Sequence, residues 1–82
     1  MKLLYFAKIR EILGRSDETI SLPSNILSAG DLIDYLIDLD DIYKTAFSDK
    51  RFFIAADEEF VEMDFIIKNS KEIAIFPPVT GG

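Results

Sequence analysis

Cysteine and histidine are both missing from this 82-residue sequence. Without thiols the chain has no disulfide, no zinc–thiolate site and no cysteine-ligated iron–sulfur cluster. Without imidazole or thiol, it has neither a histidine-based triad nor a cysteine nucleophile. Glycine is scarce, occurring only at Gly14, Gly30, Gly81 and Gly82. No phosphate-cradling glycine loop or dinucleotide fingerprint can be drawn from these four. Long hydrophobic runs are absent too, the longest being Leu3–Ala7 and Phe52–Ala56. Such runs are too short for a bilayer span or a signal-peptide core, so the expected location is cytoplasmic. Basic residues are outnumbered, nine against fifteen acidic, for a net charge of −6. That balance disfavours nucleic acid, and suits either docking on basic protein surfaces or solubility alone. Asp38-Leu39-Asp40-Asp41 starts like a calcium loop but lacks the glycine at its sixth position, and reads as a solvated helix end. Little catalytic equipment remains.

What the chain does have is apolar material: 49% hydrophobic residues, seven of them phenylalanine. One small folded domain is expected. Lys2–Ala7 reads as a buried strand with Leu3, Tyr5 and Ala7 on one face and Leu4 and Phe6 on the other. Residues 8–14 predict a helical turn or two, or a wide connection, stopped by Gly14. Glu18–Leu22 alternates as a half-buried strand ended by Pro23. Ser28 and Asp31 form a capping-box-like start for a helix over 29–40, with Leu32, Ile33, Leu36, Ile37 and Leu39 at helical spacing. One further turn is expected within 41–47. Phe52–Ala56 reads as a second buried strand, Asp57–Glu59 as a polar turn, and Phe60-Val61 as a short returning strand. Between residues 62 and 70 the chain is irregular, with Phe65, Ile66 and Ile67 expected beneath it. Lys71–Phe76 predicts the last strand. Hairpin, helix and closing strands make an α+β, ubiquitin-like β-grasp: a mixed sheet of four or five strands on one main helix. The expected division is a domain over 1–77 and an extended tail over 78–82.

The chain ends Pro77-Pro78-Val79-Thr80-Gly81-Gly82. Two prolines remove two amide donors and stop a strand ladder at Phe76. The five residues from Pro78 to Gly82 reach at most ~16–18 Å, enough to carry the carboxylate into a narrow channel. Gly-Gly taken alone reads as a frayed terminus, as most chain ends are.

Phe6-Ala7-Lys8-Ile9-Arg10-Glu11 near the start and Ile75-Phe76-Pro77-Pro78-Val79-Thr80-Gly81-Gly82 at the end resemble the small, sulfur-carrying subunit of molybdopterin synthase. The resemblance extends over essentially the whole chain. It departs from that pattern at Ala56-Asp57, where Val-Asn is frequent, and at Ser70-Lys71, where Gly-Asp is frequent. Both departures fall in turns away from the tail. The resemblance implies a carrier with no active site and no bound cofactor of its own. An ATP-using, E1-like activating enzyme adenylates the Gly82 carboxylate, and a sulfur donor protein converts it to a thiocarboxylate. The tail then delivers sulfur to cyclic pyranopterin monophosphate in the large synthase subunit, within a heterotetramer of two small and two large subunits. Gly82 and Gly81 are the reactive end in this reading. The resemblance also implies partner contacts at Phe6, Arg10, Phe60, Phe76, Pro77, Pro78, Val79 and Thr80.

The residues support part of this directly. An α-carboxylate ionises with a pKa of ~3.3–3.7, so it is anionic at neutral pH and able to attack an ATP phosphorus. If the first and last strands are parallel neighbours, Phe6 and Phe76 share the sheet face that the helix leaves open, with Phe60 at its margin. Aromatics on an open face form interface anchors. Three alternatives remain: a ubiquitin-like protein modifier, a sulfur carrier of another pathway such as thiazole synthesis or tRNA thiolation, and an interaction domain whose tail is inert.

Overall fold

Hydrophobic alternation at both ends of the chain is satisfied by bringing the first and last strands together at the centre of one sheet. The computed structural model describes residues 1–48 and 52–78. Its strands are β1 (Lys2–Tyr5), β2 (Asp17–Thr19), β3 (Phe53–Ala56), β4 (Glu59–Val61) and β5 (Glu72–Phe76). The helices are α1 (Ala7–Leu13), α2 (Ala29–Leu39) and α3 (Asp41–Ala46). The five strands lie in the order β2-β1-β5-β3-β4. β1 and β5 pair in parallel, and all other neighbours are antiparallel. This is the expected β-grasp.

Registers sort the side chains into two faces, since residues directly opposite one another point the same way. Leu3, Ile73 and Ala56 form one inward row, and Tyr5, Ile75, Ile54 and Val61 form the next. The helices cover this face with Ile9 and Leu13 of α1, Leu32, Ile33 and Leu36 of α2, and Tyr43 and Ala46 of α3. Leu3, Leu32, Leu36, Ile73 and Ile75 are fully buried. Each such side chain contributes roughly 1.5–3 kcal/mol by leaving water.

The helix signals act as read. Ser28 Oγ accepts from the Asp31 amide, and the Asp31 carboxylate accepts from the Ser28 amide, closing the capping box of α2. Gly14 ends α1 with φ 72°, and its amide donates to the Arg10 carbonyl. Asp40, from the acidic run, caps α3 by accepting from the Ile42 amide. The stretch before Gly14 is therefore a true helix, Ala7–Leu13, and Asp41–Ala46 a separate short one rather than one more turn of α2.

Several expectations need correction. β1 stops at Tyr5, because Ala7 adopts φ 51° and turns the chain into α1. Ala7 is consequently exposed instead of sharing a face with Leu3 and Tyr5. β2 lies one residue earlier and is shorter than 18–22; the Ile20 amide still donates to the Met1 carbonyl, after which the strand ends. Of Phe65, Ile66 and Ile67, only Ile67 is buried, and Leu39 at the end of α2 is exposed. Phe53, read as part of a buried strand, is 52% exposed.

The turn at Asp57-Glu58 has positive φ at both positions, 48° and 74°, the primed two-residue hairpin that matches strand twist. Asp57 also accepts from the amides of Lys71 and Glu72, tying this hairpin to the start of β5. Here the departure from Val-Asn keeps a residue type tolerant of the left-handed region.

One polar cluster closes the side of the core. Glu18 lies opposite Leu3 on the inward face. Its carboxylate accepts at 2.6 Å from both the Tyr5 and Tyr43 hydroxyls, and Arg15 pairs with its other oxygen at 3.1 Å. Burial works to raise the Glu18 pKa, but the bonds from Tyr43 and Tyr5 and the charge of Arg15 outweigh it and hold it below the ordinary glutamate value. Burial and the same carboxylate push the Tyr5 hydroxyl far above its ordinary value. Since the folded-state pKa of Glu18 is depressed, its stabilisation is complete above the unfolded value and is lost as pH falls through the folded one. Asp31, lowered by the Ser28 and Leu27 amides, acts in the same direction. Melting temperature is therefore expected to drop as pH is lowered from 5 to 3 (roughly the window in which paired carboxylates protonate). Glu18→Gln should flatten that dependence and cost about 1.5–3 kcal/mol at neutral pH, read by denaturant titration.

Candidate functional site: an aromatic sheet face beside the tail

The outward face of the sheet is built by the same registers. Leu4, Ala74, Ala55 and Phe60 form one row across β1, β5, β3 and β4. Phe76 and Phe53 sit opposite one another in the next row. Phe6, extended at φ −129° and ψ 152° just after β1, completes that row. Alanine at 55 and 74 keeps the middle of the sheet low. A hollow of about 300 Å³ results, floored by Leu4, Ala55 and Ala74 and walled by Phe6, Phe60 and Phe76.

Four phenylalanines form a connected group around this hollow. Phe6 and Phe76 stack with centroids 4.4 Å apart and planes 10° from parallel. Phe60 lies 5.8 Å from Phe76, and Phe53 meets Phe60 edge-on at 6.4 Å. Pairs of this kind add ~0.5–1.5 kcal/mol beyond area burial, so the rings hold one another in place. Phe60 is nevertheless 74% exposed. An ordered aromatic group that remains in water is a surface prepared for a partner.

The tail leaves from the edge of this group. β5 ends at Phe76, and Pro77 and Pro78 stand beside Phe6, Ala7, Phe53 and Phe60. Phe6, Phe60, Phe76, Pro77 and Pro78 are thus brought together. Arg10 is exposed on α1, and its backbone carbonyl receives the Gly14 amide. Val79, Thr80, Gly81 and Gly82 lie outside the described residues. Among the described residues no group of His, Cys, Asp and Glu is arranged to hold a metal, and no helix is long and apolar enough to cross a membrane.

The model of the ThiS family matches residues 3–82. The chain belongs to the ThiS family. The molybdopterin synthase sulfur carrier subunit of Haemophilus influenzae is 30% identical over 82 residues, covering 100% of this chain and 99% of that protein. The corresponding subunit of Dictyostelium discoideum is 34% identical over 84 residues, covering 99% and 94%. Among solved structures, SAMP1 from Haloferax volcanii superposes with a TM-score of 0.74 at 21% identity, covering 100% of this chain and 98% of that one, which establishes a shared fold. A putative molybdopterin converting factor subunit 1 from Pyrococcus furiosus gives 0.65 at 28% identity, covering 95% of each.

In this ThiS-family chain the sequence pattern found three of the four clustered phenylalanines and missed Phe53. Phe52-Phe53-Ile54-Ala55-Ala56 is apolar throughout, so alternation is silent about which residues face out. The signal lay in pairing: once β3 runs antiparallel to β5, Phe53 must face the same way as Phe76.

Proposed function

We propose that this chain is a sulfur carrier in molybdopterin biosynthesis, using its aromatic sheet face to dock and its Gly82 carboxylate to carry the sulfur. The observation that carries the reading is the parallel β1–β5 pair. It places Phe6 against Phe76 and starts Pro77-Pro78 from the centre of the sheet, so the docking surface and the root of the tail lie side by side. Membership of the ThiS family and full-length similarity to molybdopterin synthase sulfur carrier subunits support the same role.

In this mechanism the carboxylate attacks the α-phosphorus of ATP within an E1-like activating enzyme, and pyrophosphate leaves. Attack by a persulfide or sulfide sulfur from a donor protein on the acyl-adenylate expels AMP. A persulfide adduct is then reduced by a second thiol, leaving the thiocarboxylate. The large subunit of molybdopterin synthase supplies the pocket in which this sulfur passes to cyclic pyranopterin monophosphate. The small protein contributes reach and docking. Gly81 and Gly82 admit backbone conformations closed to other residues and fit a narrow channel. Arg10, exposed one helical turn beyond Phe6, extends the docking surface with a positive charge. Two small subunits would serve a pair of large ones.

Intact mass spectrometry of the protein from its native cells tests this reading. The expected spectrum contains a species heavier by one sulfur-for-oxygen exchange, localised to the C-terminal peptide. An unmodified C-terminus, in material handled to prevent thiocarboxylate hydrolysis, would overturn it. Lysine-linked conjugates resistant to reducing agents would instead favour a protein modifier.

A further inference from the structure

Pro78 stands between two clefts of opposite character. One, of about 710 Å³, runs along β3 and β4 past Phe52, Phe53, Phe60, Val61, Glu62 and Met63. The other, of about 300 Å³, lies between α1 and α3 and is walled by Lys8, Ile12, Thr45, Ala46 and Ser48. Among the described residues the first carries a carboxylate, Glu62, in its wall and the second an ammonium, Lys8. Among the described residues Lys8 takes part in no ion pair. Four residues follow Pro78 in the sequence, ending in Gly82. Four residues extend at most ~13–14 Å, so a carboxylate at their end stays within the neighbourhood of whichever cleft they enter.

We propose that the α1–α3 cleft is a docking site for residues 79–82 of this same chain, holding the Gly82 carboxylate against the Lys8 ammonium while the protein is unpartnered. The Val79 and Thr80 methyl groups match the apolar wall of Ile12 and Ala46, and the terminal anion matches Lys8. Glu62 repels the same anion from the larger cleft. Docking on the helical side leaves the aromatic sheet face open. A partner can therefore seat on Phe6, Phe60 and Phe76 first and draw the tail out afterwards. The attraction is that of an exposed ion pair, strong enough to bias the tail and weak enough to release it. This inference rests on the carrier reading only for the use made of the tail.

The test is nuclear magnetic resonance on the isotopically labelled full chain, unmodified and alone. Cross-peaks are expected from the Val79 and Thr80 methyls to the Ile12 and Ala46 methyls. Lys8→Glu, at an exposed position outside the docking surface, should reduce their intensity about two- to five-fold, the range for an exposed ion pair. Raising salt to about 1 M should weaken them in the wild type, because the screening length falls to about 3 Å. Cross-peaks to Phe52 and Met63 instead, none to either cleft, or intensities untouched by Lys8→Glu would each overturn the proposal. No activating enzyme is present, so the outcome is independent of whether a thiocarboxylate forms.

Discussion

Deletion of Gly82 is expected to abolish thiocarboxylate formation and leave the fold intact. The sheet and core close within residues 3–75, and β5 ends at Phe76. The two steps therefore separate cleanly: folding is finished before the tail begins. Removing one residue withdraws the carboxylate by about 3.3–3.6 Å along the extended chain. Misplacement of a reacting group by only ~1 Å can cost about 100-fold in rate. Adenylation should thus fall at least that far, with the denaturation midpoint unchanged. Gly82→Ala should fall in the same direction, because a methyl group beside the carboxylate removes the close approach that glycine allows. The measurement is intact mass after incubation with the activating enzyme, ATP and the sulfur donor. Normal yield from the shortened chain would show that the reactive carbon is not where the proposal puts it.

Phe60→Ala is expected to weaken binding to the large synthase subunit by about 30-fold, corresponding to the ~2 kcal/mol lost at an interface hot spot. Phe60 is chosen because it is 74% exposed, so truncation removes little buried area in the free protein. Its stability should fall by about 0.5–1.5 kcal/mol, from the ring contacts with Phe53 and Phe76, which is less than the loss in binding. Phe76→Ala makes a less selective companion. Phe76 is half-buried, stacks on Phe6 and carries the start of the tail, so both binding and stability should suffer. Calorimetry for binding and denaturant titration for stability distinguish the two effects. If Phe60→Ala bound normally, the aromatic face would lose its role as the anchor.

Much of the architecture was legible because local signals were strong. Ser28 and Asp31 announced the start of α2, Gly14 announced the end of α1, and Pro77-Pro78 marked the end of the ladder. The less local a decision was, the less the pattern disclosed. Ala7 turns β1 into α1 through a left-handed φ that no alanine advertises. Phe65 and Ile66 are as apolar as Ile67 yet face solvent, because only Ile67 is aimed beneath the loop, its amide tied to the Leu27 carbonyl. Glu18 read as an ordinary alternating polar residue. Its position opposite Leu3, at the rim of the inward face, is what lets it gather Tyr5, Tyr43 and Arg15 from three parts of the chain.

By itself, the sequence determined that this protein lacks the side chains for thiol or imidazole catalysis. It also determined the grasp, since a hairpin, a capped amphipathic helix and closing strands bury their apolar faces together in few other ways. Only the tertiary structure decided what surrounds the tail. Whether a phenylalanine in an apolar run is core or surface depends on strand register, and register is a relation between segments distant in the sequence, as Leu3 and Ile73 or Phe53 and Phe76 are. The β1–β5 and β3–β5 pairings turned Phe6, Phe53, Phe60 and Phe76 outward and set an alanine floor among them. Packing of α1 against α3 then placed Lys8 in the cleft beside Pro78.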